Sequence, residues 1–175
     1  MKQLLALEQH DIDPTAHRQD TSAFRRRFAA RAVLADADGR IHLLHVTNHG
    51  YHKLPGGGIE AGENIPQALE RELMEEVGCE AEVIAELGTV MESRVYEDGG
   101  LNQVSYCFVA RQRGEQQESA LDEWELGNGM VAVTAPNIEA AIELLHQDTP
   151  DDVNGKFIQK RDLCILNAAK EYLQG

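Results

Sequence analysis

KLPGGGIEAGENIPQALERELMEEVGC, residues 53–79, joins a triple-glycine turn to a segment with the marks of a short amphipathic helix. Asn64 suits an N-cap, Pro66 suits a first turn, and Gln67 lies three residues beyond the cap. Gly78 is placed to end the helix. At about 100° per residue, Leu69, Leu73 and Val77 fall on one apolar stripe that can pack on a sheet. Glu72, Glu75 and Glu76 occupy the adjoining arc, with Glu72 and Glu76 nearest the stripe and expected to be partly buried. Arg71 precedes Glu75 by four residues, within reach of an ion pair. Three carboxylates against one arginine leave a negative surplus. Carboxylates at close range repel unless a cation sits among them, and oxygen ligands suit Mg²⁺ or Mn²⁺. Gly56, Gly57 and Gly58 allow a sharp turn and a close approach, and their carbonyls could also ligate a hard cation. No Gly-Lys-Ser/Thr follows, so the turn is not a P-loop.

Outward from this stretch, apolar runs at residues 30–35 and 41–46 flank Asp36-Ala37-Asp38-Gly39-Arg40, a hairpin signal. Residues 47–52 read as a polar loop. Strand-like runs recur at 81–91 and 104–111. Residues 114–129 form an acidic, turn-rich connection before a short strand at 130–134. Pro136-Asn137 opens a helix running to His146, and a last helix covers 157–173, with Ile158, Leu163, Ile165, Leu166, Ala169 and Leu173 on its apolar side. Residues 1–22 resist placement and are expected to extend one 1–175 domain, as a strand or as a contact in a homodimer. This order of elements fits one α/β domain.

Composition sets outer bounds. At 175 residues, with 42% hydrophobic and 26% charged residues, the chain can bury one good core. A net charge of −14 argues against non-specific binding to nucleic acid or anionic membrane. A phosphorylated substrate stays compatible if a metal supplies positive charge locally. No apolar segment is long enough for a signal peptide or a membrane span. Cys79, Cys107 and Cys164 are scattered and without C-x2-C spacing, which reads as reduced thiols in a cytoplasmic protein.

Residues 57–79 resemble the signature of the Nudix hydrolases, G-x5-E-x7-R-E-U-x-E-E-x-G-U, with U a bulky aliphatic. Gly57, Glu63, Arg71, Glu72, Glu75, Glu76 and Gly78 match, and Cys79 stands at the final U. The resemblance implies an α/β/α sandwich around a mixed sheet, and hydrolysis of a nucleoside diphosphate derivative assisted by Mg²⁺ or Mn²⁺. Its metal ligands would be Glu72, Glu75 and Glu76, with the Gly56 carbonyl completing the site. Arg71 would orient a glutamate and Glu63 would brace the loop. The general base in the family is either a signature glutamate or one on a downstream loop. Here Glu118, Glu123 and Glu125 are the downstream candidates, with Glu125 or Glu123 favoured for lying nearest the next strand.

Other residues carry weaker signals. Arg94, Lys156, Lys160 and Arg161 are candidates to contact phosphate, and Tyr51, Tyr96 and Trp124 to stack on a base, with surface charge and plain packing as the competing readings. His45, His49 and His52 lack a ligand-like spacing and read as surface loop histidines. Arg25-Arg26-Arg27 could meet a phosphate or a partner, but reads first as an exposed edge-strand or pre-strand segment. The leading function is therefore a pyrophosphohydrolase acting on a small nucleotide, a nucleoside triphosphate or a nucleotide sugar such as ADP-ribose. The alternative is a non-catalytic nucleotide-binding sensor on the same fold. Cleavage of capped RNA would call for a broad basic surface, which the net charge disfavours.

Overall fold

A computed structural model describes residues 1–97 and 99–173. In chain order it contains β1 (Gln3–Glu8), α1 (Gln9–Ile12), β2 (Arg25–Ala35), β3 (Ile41–Val46), β4 (Tyr51–Lys53), β5 (Gly56–Gly58) and α2 (Ile65–Val77). There follow β6 (Glu80–Tyr96), β7 (Gly99–Arg113), α3 (Glu123–Gly127), β8 (Met130–Ala135), α4 (Ile138–Gln147) and α5 (Val153–Leu173). The eight strands form one mixed sheet in the order β1-β6-β7-β2-β3-β4, with β5 added to β2 and β8 to β3. Parallel pairs (β1 with β6, β2 with β7) lie beside antiparallel ones such as the β6–β7 hairpin.

The period-two pattern of β2 decides the layering. Ala30, Ala32 and Leu34 join Ala68, Leu69, Leu73 and Val77 of α2 in one buried cluster. Val33 and Ala35 point the other way, into a cluster with Ile138, Ala141, Ile142 and Leu145 of α4 and Ile165, Leu166 and Ala169 of α5. One strand is thus apolar on both faces, and the sheet is covered on both sides by helices. The α/β/α sandwich expected from the sequence is the fold observed.

Local signals hold where side-chain chemistry is explicit. Asp36 accepts the Arg40 amide at 2.9 Å and its guanidinium Nε at 2.7 Å, closing the β2–β3 turn. In α2, Asn64 accepts the Gln67 amide at 3.0 Å and Gln67 returns the bond to the Asn64 amide at 2.9 Å, a full capping box. Gly78 ends the helix in the left-handed conformation, φ +65°, and a Cβ there would overlap the Gln117 carbonyl. The boundaries differ where pairing, not composition, extends an element. β6 and β7 run well beyond residues 81–91 and 104–111 because they zip into one long hairpin. α5 begins at Val153, four residues ahead of the expected helix start, and β4 already starts at Tyr51 inside the expected loop. Residues 1–22 contain β1, laid parallel on β6, and the acidic connection contains the short helix α3.

The Arg25-Arg26-Arg27 run is exposed, as read, but belongs to β2, an inner strand, rather than to the edge of the sheet. Its three residues pair with residues 101–103 of β7 on one side, while β5 joins the other side only from Ala29 onward.

Gly78→Ala should destabilise the protein by at least about 1–2 kcal/mol, combining the left-handed penalty with displacement of the 117 carbonyl. Urea denaturation monitored by far-UV circular dichroism reads this directly. A change below about 0.5 kcal/mol would show that the helix end tolerates a side chain.

Candidate active site

The end of α2, the glycine strand β5 and the amino-terminal half of β2 enclose a cleft of about 1090 Å³. Among the described residues, eight of the sixteen Lys and Arg side chains line it, beside seven of the thirty Asp and Glu. The rest of the chain is left with eight cations against twenty-three acids. The net charge of −14 is therefore carried by residues outside the cleft lining, while the lining itself is close to neutral.

Glu76 is 1% exposed; its Oε2 accepts the Gly56 amide at 2.6 Å and its Oε1 the Lys53 ammonium at 2.7 Å. One turn earlier, Glu72 is also buried, and its carboxylate fills the space a Cβ on Gly57 would need. Burial, then the nearby charge of Glu76, pushes the Glu72 carboxyl above its ordinary value, with Arg71 and Lys53 pulling the other way. Glu75 is more open and holds Arg71 Nη1 at 3.0 Å. Arg71 donates Nε and Nη2 to Glu63 at 2.7 and 3.0 Å, Nη1 also to Glu72 at 3.0 Å, and Nη2 to the Gly58 carbonyl at 2.9 Å. The Arg71 guanidinium, with the Glu60 amide, holds the Glu63 carboxyl down to about 2. The placement of Arg71 and Glu63 is thus that of braces between loop and helix.

Beneath the glycine strand lies a buried charged floor. Arg31 donates Nη1 to the Gly56 carbonyl at 2.6 Å and Nε to Ser105 Oγ at 3.3 Å. Burial and the neighbouring Arg161 lower its guanidinium to about 10. Arg161 pairs with Asp162 at 2.7 Å, and Asp162 accepts the Leu54 amide at 2.8 Å, so the floor grips the loop from two sides. Burial alone would raise the Glu92 carboxyl, but Arg161 and Arg94 hold it down to about 2.

Of the downstream acids, Glu125 lines the cleft, and Glu118 and Glu123 do not. Burial raises the Glu125 carboxyl, its own capping bond to the Asp122 amide opposes this, and the charge of Glu76 adds to the rise. Glu123 sits in the same short helix but contributes nothing to the cleft lining. Arg94 and Tyr51 both line the cleft while already engaged. Arg94 holds Glu92 at 2.6 Å and Asn154 at 3.2 Å, and the Tyr51 ring packs in the α2-side core. Trp124, 70% exposed at the rim, and Tyr96, whose hydroxyl donates to Asn154 at 3.2 Å, also line the cleft. The histidines separate: His45 and His52 stack at 4.3 Å, whereas His49 meets Asp151 and Asp152 at 3.0 and 3.3 Å. That partly exposed trio is the one group of three or more His, Cys, Asp or Glu among the described residues whose metal-ligand atoms all lie within 4.8 Å of one another. The carboxylate oxygens of Glu72, Glu75 and Glu76 do not all meet that distance; Glu72 and Glu75 bond Arg71, and Glu76 bonds Lys53 and the Gly56 amide.

Sequence reading missed Lys53, Arg31, Glu92 and Asp162, and it took Arg161 for a phosphate contact or surface charge although it is 1% exposed. The available signal was a charge set among apolar neighbours. Arg31 interrupts an apolar strand, and Arg161 and Asp162 interrupt the apolar side of a helix.

A mixed sheet between helices, with an Arg-braced acidic helix behind a glycine strand, defines the class of the Nudix hydrolases. The chain belongs to the NUDIX domain family, whose model matches residues 25–151. It is similar to the RNA pyrophosphohydrolases of Wolbachia pipientis subsp. Culex pipiens, 37% identical over 68 residues, and of Teredinibacter turnerae, 42% identical over 64 residues. These matches cover 38% and 36% of this chain and 40% and 36% of the relatives, so the likeness spans two fifths of their length or less. In structure the chain resembles a MutT protein from Bacillus halodurans, with a TM-score of 0.54 and 23% identity over 77% of this chain and 80% of that one. A NUDIX hydrolase from Nitrosomonas europaea gives a TM-score of 0.54 and 19% identity over 78% and 89% of the two chains.

The raised Glu72 carboxyl has a consequence for stability. A carboxyl whose folded value lies above its unfolded one takes up a proton on folding. Its contribution is then most favourable at low pH and declines as pH rises from about 4.5 through the raised value. Glu72→Gln removes that penalty, so in chelator at pH 7.5 the variant should melt no lower than wild type, and by about 2–4 °C higher if 1 kcal/mol is recovered. A clear fall in melting temperature would contradict the repulsion inferred for this pair.

Proposed function

We propose that the protein is a divalent-metal-dependent pyrophosphohydrolase cleaving the diphosphate linkage of a nucleoside diphosphate derivative, either a nucleoside triphosphate or a nucleotide sugar such as ADP-ribose. One observation carries this reading. The carboxylates of Glu72, Glu75 and Glu76 share a cleft with Arg27 and Arg31, whose guanidiniums bond, among the described residues, only the neutral acceptors Gln103, Ser105 and the Gly56 carbonyl. Polyphosphate charge would satisfy those guanidiniums, and a cation would satisfy the carboxylates.

The donor set fits Mg²⁺ or Mn²⁺. It consists of hard oxygens, and two of its three carboxylates are buried close enough to raise one of them. Glu72, Glu75 and Glu76 would hold the ion, with the Gly56 carbonyl, already bonded to Arg31, as a fourth candidate. A bound divalent ion supplies Lewis acidity toward a phosphoryl oxygen and lowers the pKa of water. Arg71 and Glu63 keep the helix and loop in register. Glu125, at the cleft wall with a raised carboxyl, takes the proton of the attacking water. A phosphorus–oxygen bond forms to that water, the bridging phosphorus–oxygen bond breaks, and the leaving phosphate keeps its electron pair.

A second substrate class, the 5′ end of an RNA, is favoured by two observations. The relatives matched by sequence are named RNA pyrophosphohydrolases, and the exposed Arg25-Arg26-Arg27 run lies in the cleft lining. Net charge alone disfavours RNA, but the charge of the cleft differs from that of the whole surface.

A hydrolysis panel of nucleoside triphosphates, ADP-ribose and a 5′-triphosphorylated RNA oligonucleotide, with Mg²⁺ or Mn²⁺ and product identification, tests the reading. Glu76→Gln should lower the rate on the best substrate by at least about 10²-fold. Near wild-type turnover in that variant would remove Glu76 from the site. Glu125→Gln should lower kcat by about 10²–10⁴-fold and abolish the acidic limb of the pH profile, while Glu123→Gln leaves both near wild type. Equal losses in the two variants would place the base elsewhere.

A further inference from the structure

We infer that Lys53 is a built-in counter-cation that holds the acidic site closed without metal and must be displaced when a divalent ion enters. This rests on the metal-site reading above. Arg71 is bonded to Glu63, Glu72 and Glu75 but makes no bond to Glu76. Glu76, the most deeply buried acid of the three, is instead neutralised by Lys53 at 2.7 Å, with the two side chains 13% and 1% exposed. The ammonium acts on more than one partner. Its charge also bears on Glu72 and on Glu125, so it stands among the carboxylates from both walls of the cleft.

The residue type matters as much as the position. A lysine ammonium is a compact charge on a flexible stem with three rotatable donors, whereas an arginine fork is fixed by its geometry. Lys53 lies at the last position of β4, with its backbone set in register opposite Leu44. The stem can swing while the strand stays fixed. In the metal-free protein the lysine relieves the repulsion that clustered carboxylates would otherwise suffer. It therefore competes with the metal for Glu76 and weakens apparent metal affinity. Once displaced, the ammonium remains in the cleft beside Arg27 and Arg31, ready to pair with an anionic group of the substrate.

The test measures Mn²⁺ binding by electron paramagnetic resonance of the free ion, with no nucleotide present. Lys53→Met should bind Mn²⁺ about tenfold more tightly than wild type, the loss of one competing charge-assisted bond. Lys53→Arg, which keeps a cation at the position, should bind no more tightly than wild type. Unchanged or weaker binding in Lys53→Met would overturn the inference. Should that variant fail to fold, the wild type decides. Limited acetylation read by peptide mass spectrometry should modify Lys53 several-fold faster with Mn²⁺ than with chelator, relative to exposed lysines of the same chain, and an unchanged rate would overturn the inference. If wild type binds no Mn²⁺, the metal-site reading falls with it. If wild type binds but Lys53→Met gains nothing, only the role of the lysine falls.

Discussion

The Arg71 guanidinium is the joint on which the site depends. With Nε, Nη1 and Nη2 it reaches Glu63, Glu72, Glu75 and the carbonyl of Gly58, which belong to the loop, the helix and the glycine strand. A planar fork satisfies several acceptors in one fixed geometry, which a point charge cannot do. It thereby converts local helix spacing into a rigid relation between α2 and β5. Gly57 completes that relation from the other side, because only the absence of a Cβ lets the Glu72 carboxylate lie against the strand.

Rigidity at this joint is matched by strain in charge. Glu72 and Glu76 are buried on the same helix, and burial without full compensation is costly. The protein tolerates the arrangement because its sandwich is secured elsewhere, by two apolar clusters on opposite faces of β2. Stability and site therefore draw on different residues of one helix: Leu69, Leu73 and Val77 hold it to the sheet, and the acids of the next arc face the cleft.

Much of this was legible in residues 53–79. The cap, the apolar stripe and the partial burial of Glu72 and Glu76 follow from local periodicity, and the Arg71–Glu75 pair from a four-residue spacing. What local rules could not supply was long-range pairing. Lys53 meets Glu76 only because β5, three residues further on, packs against α2 and bonds Glu76 through the Gly56 amide, and Arg31 meets Gly56 only because β5 joins β2. The choice between Glu123 and Glu125 likewise depends on the phase of a five-residue helix, α3, too short to leave a periodic signature. Arg161 read as surface because a charged residue usually is, and its burial depends on Asp162 and Glu92 arriving from its own helix and from β6.

The segment leading to α3 has an anchorage of its own. The Gln117 amide donates to the Gly78 carbonyl at 2.8 Å and the Ala120 amide to the Glu75 carbonyl at 2.7 Å, so this segment is clipped to the last turn of the acidic helix. Glu125 is thus carried on a tether only a few residues long, whose fixed point is the acidic helix itself. Lengthening or shortening the chain between Ala120 and Asp122 would change how far that carboxylate reaches without moving Glu72, Glu75 or Glu76. On the proposed mechanism, cation binding and proton removal are in this sense separately adjustable parts, and insertions in one short loop offer a route to new leaving groups on an unchanged scaffold.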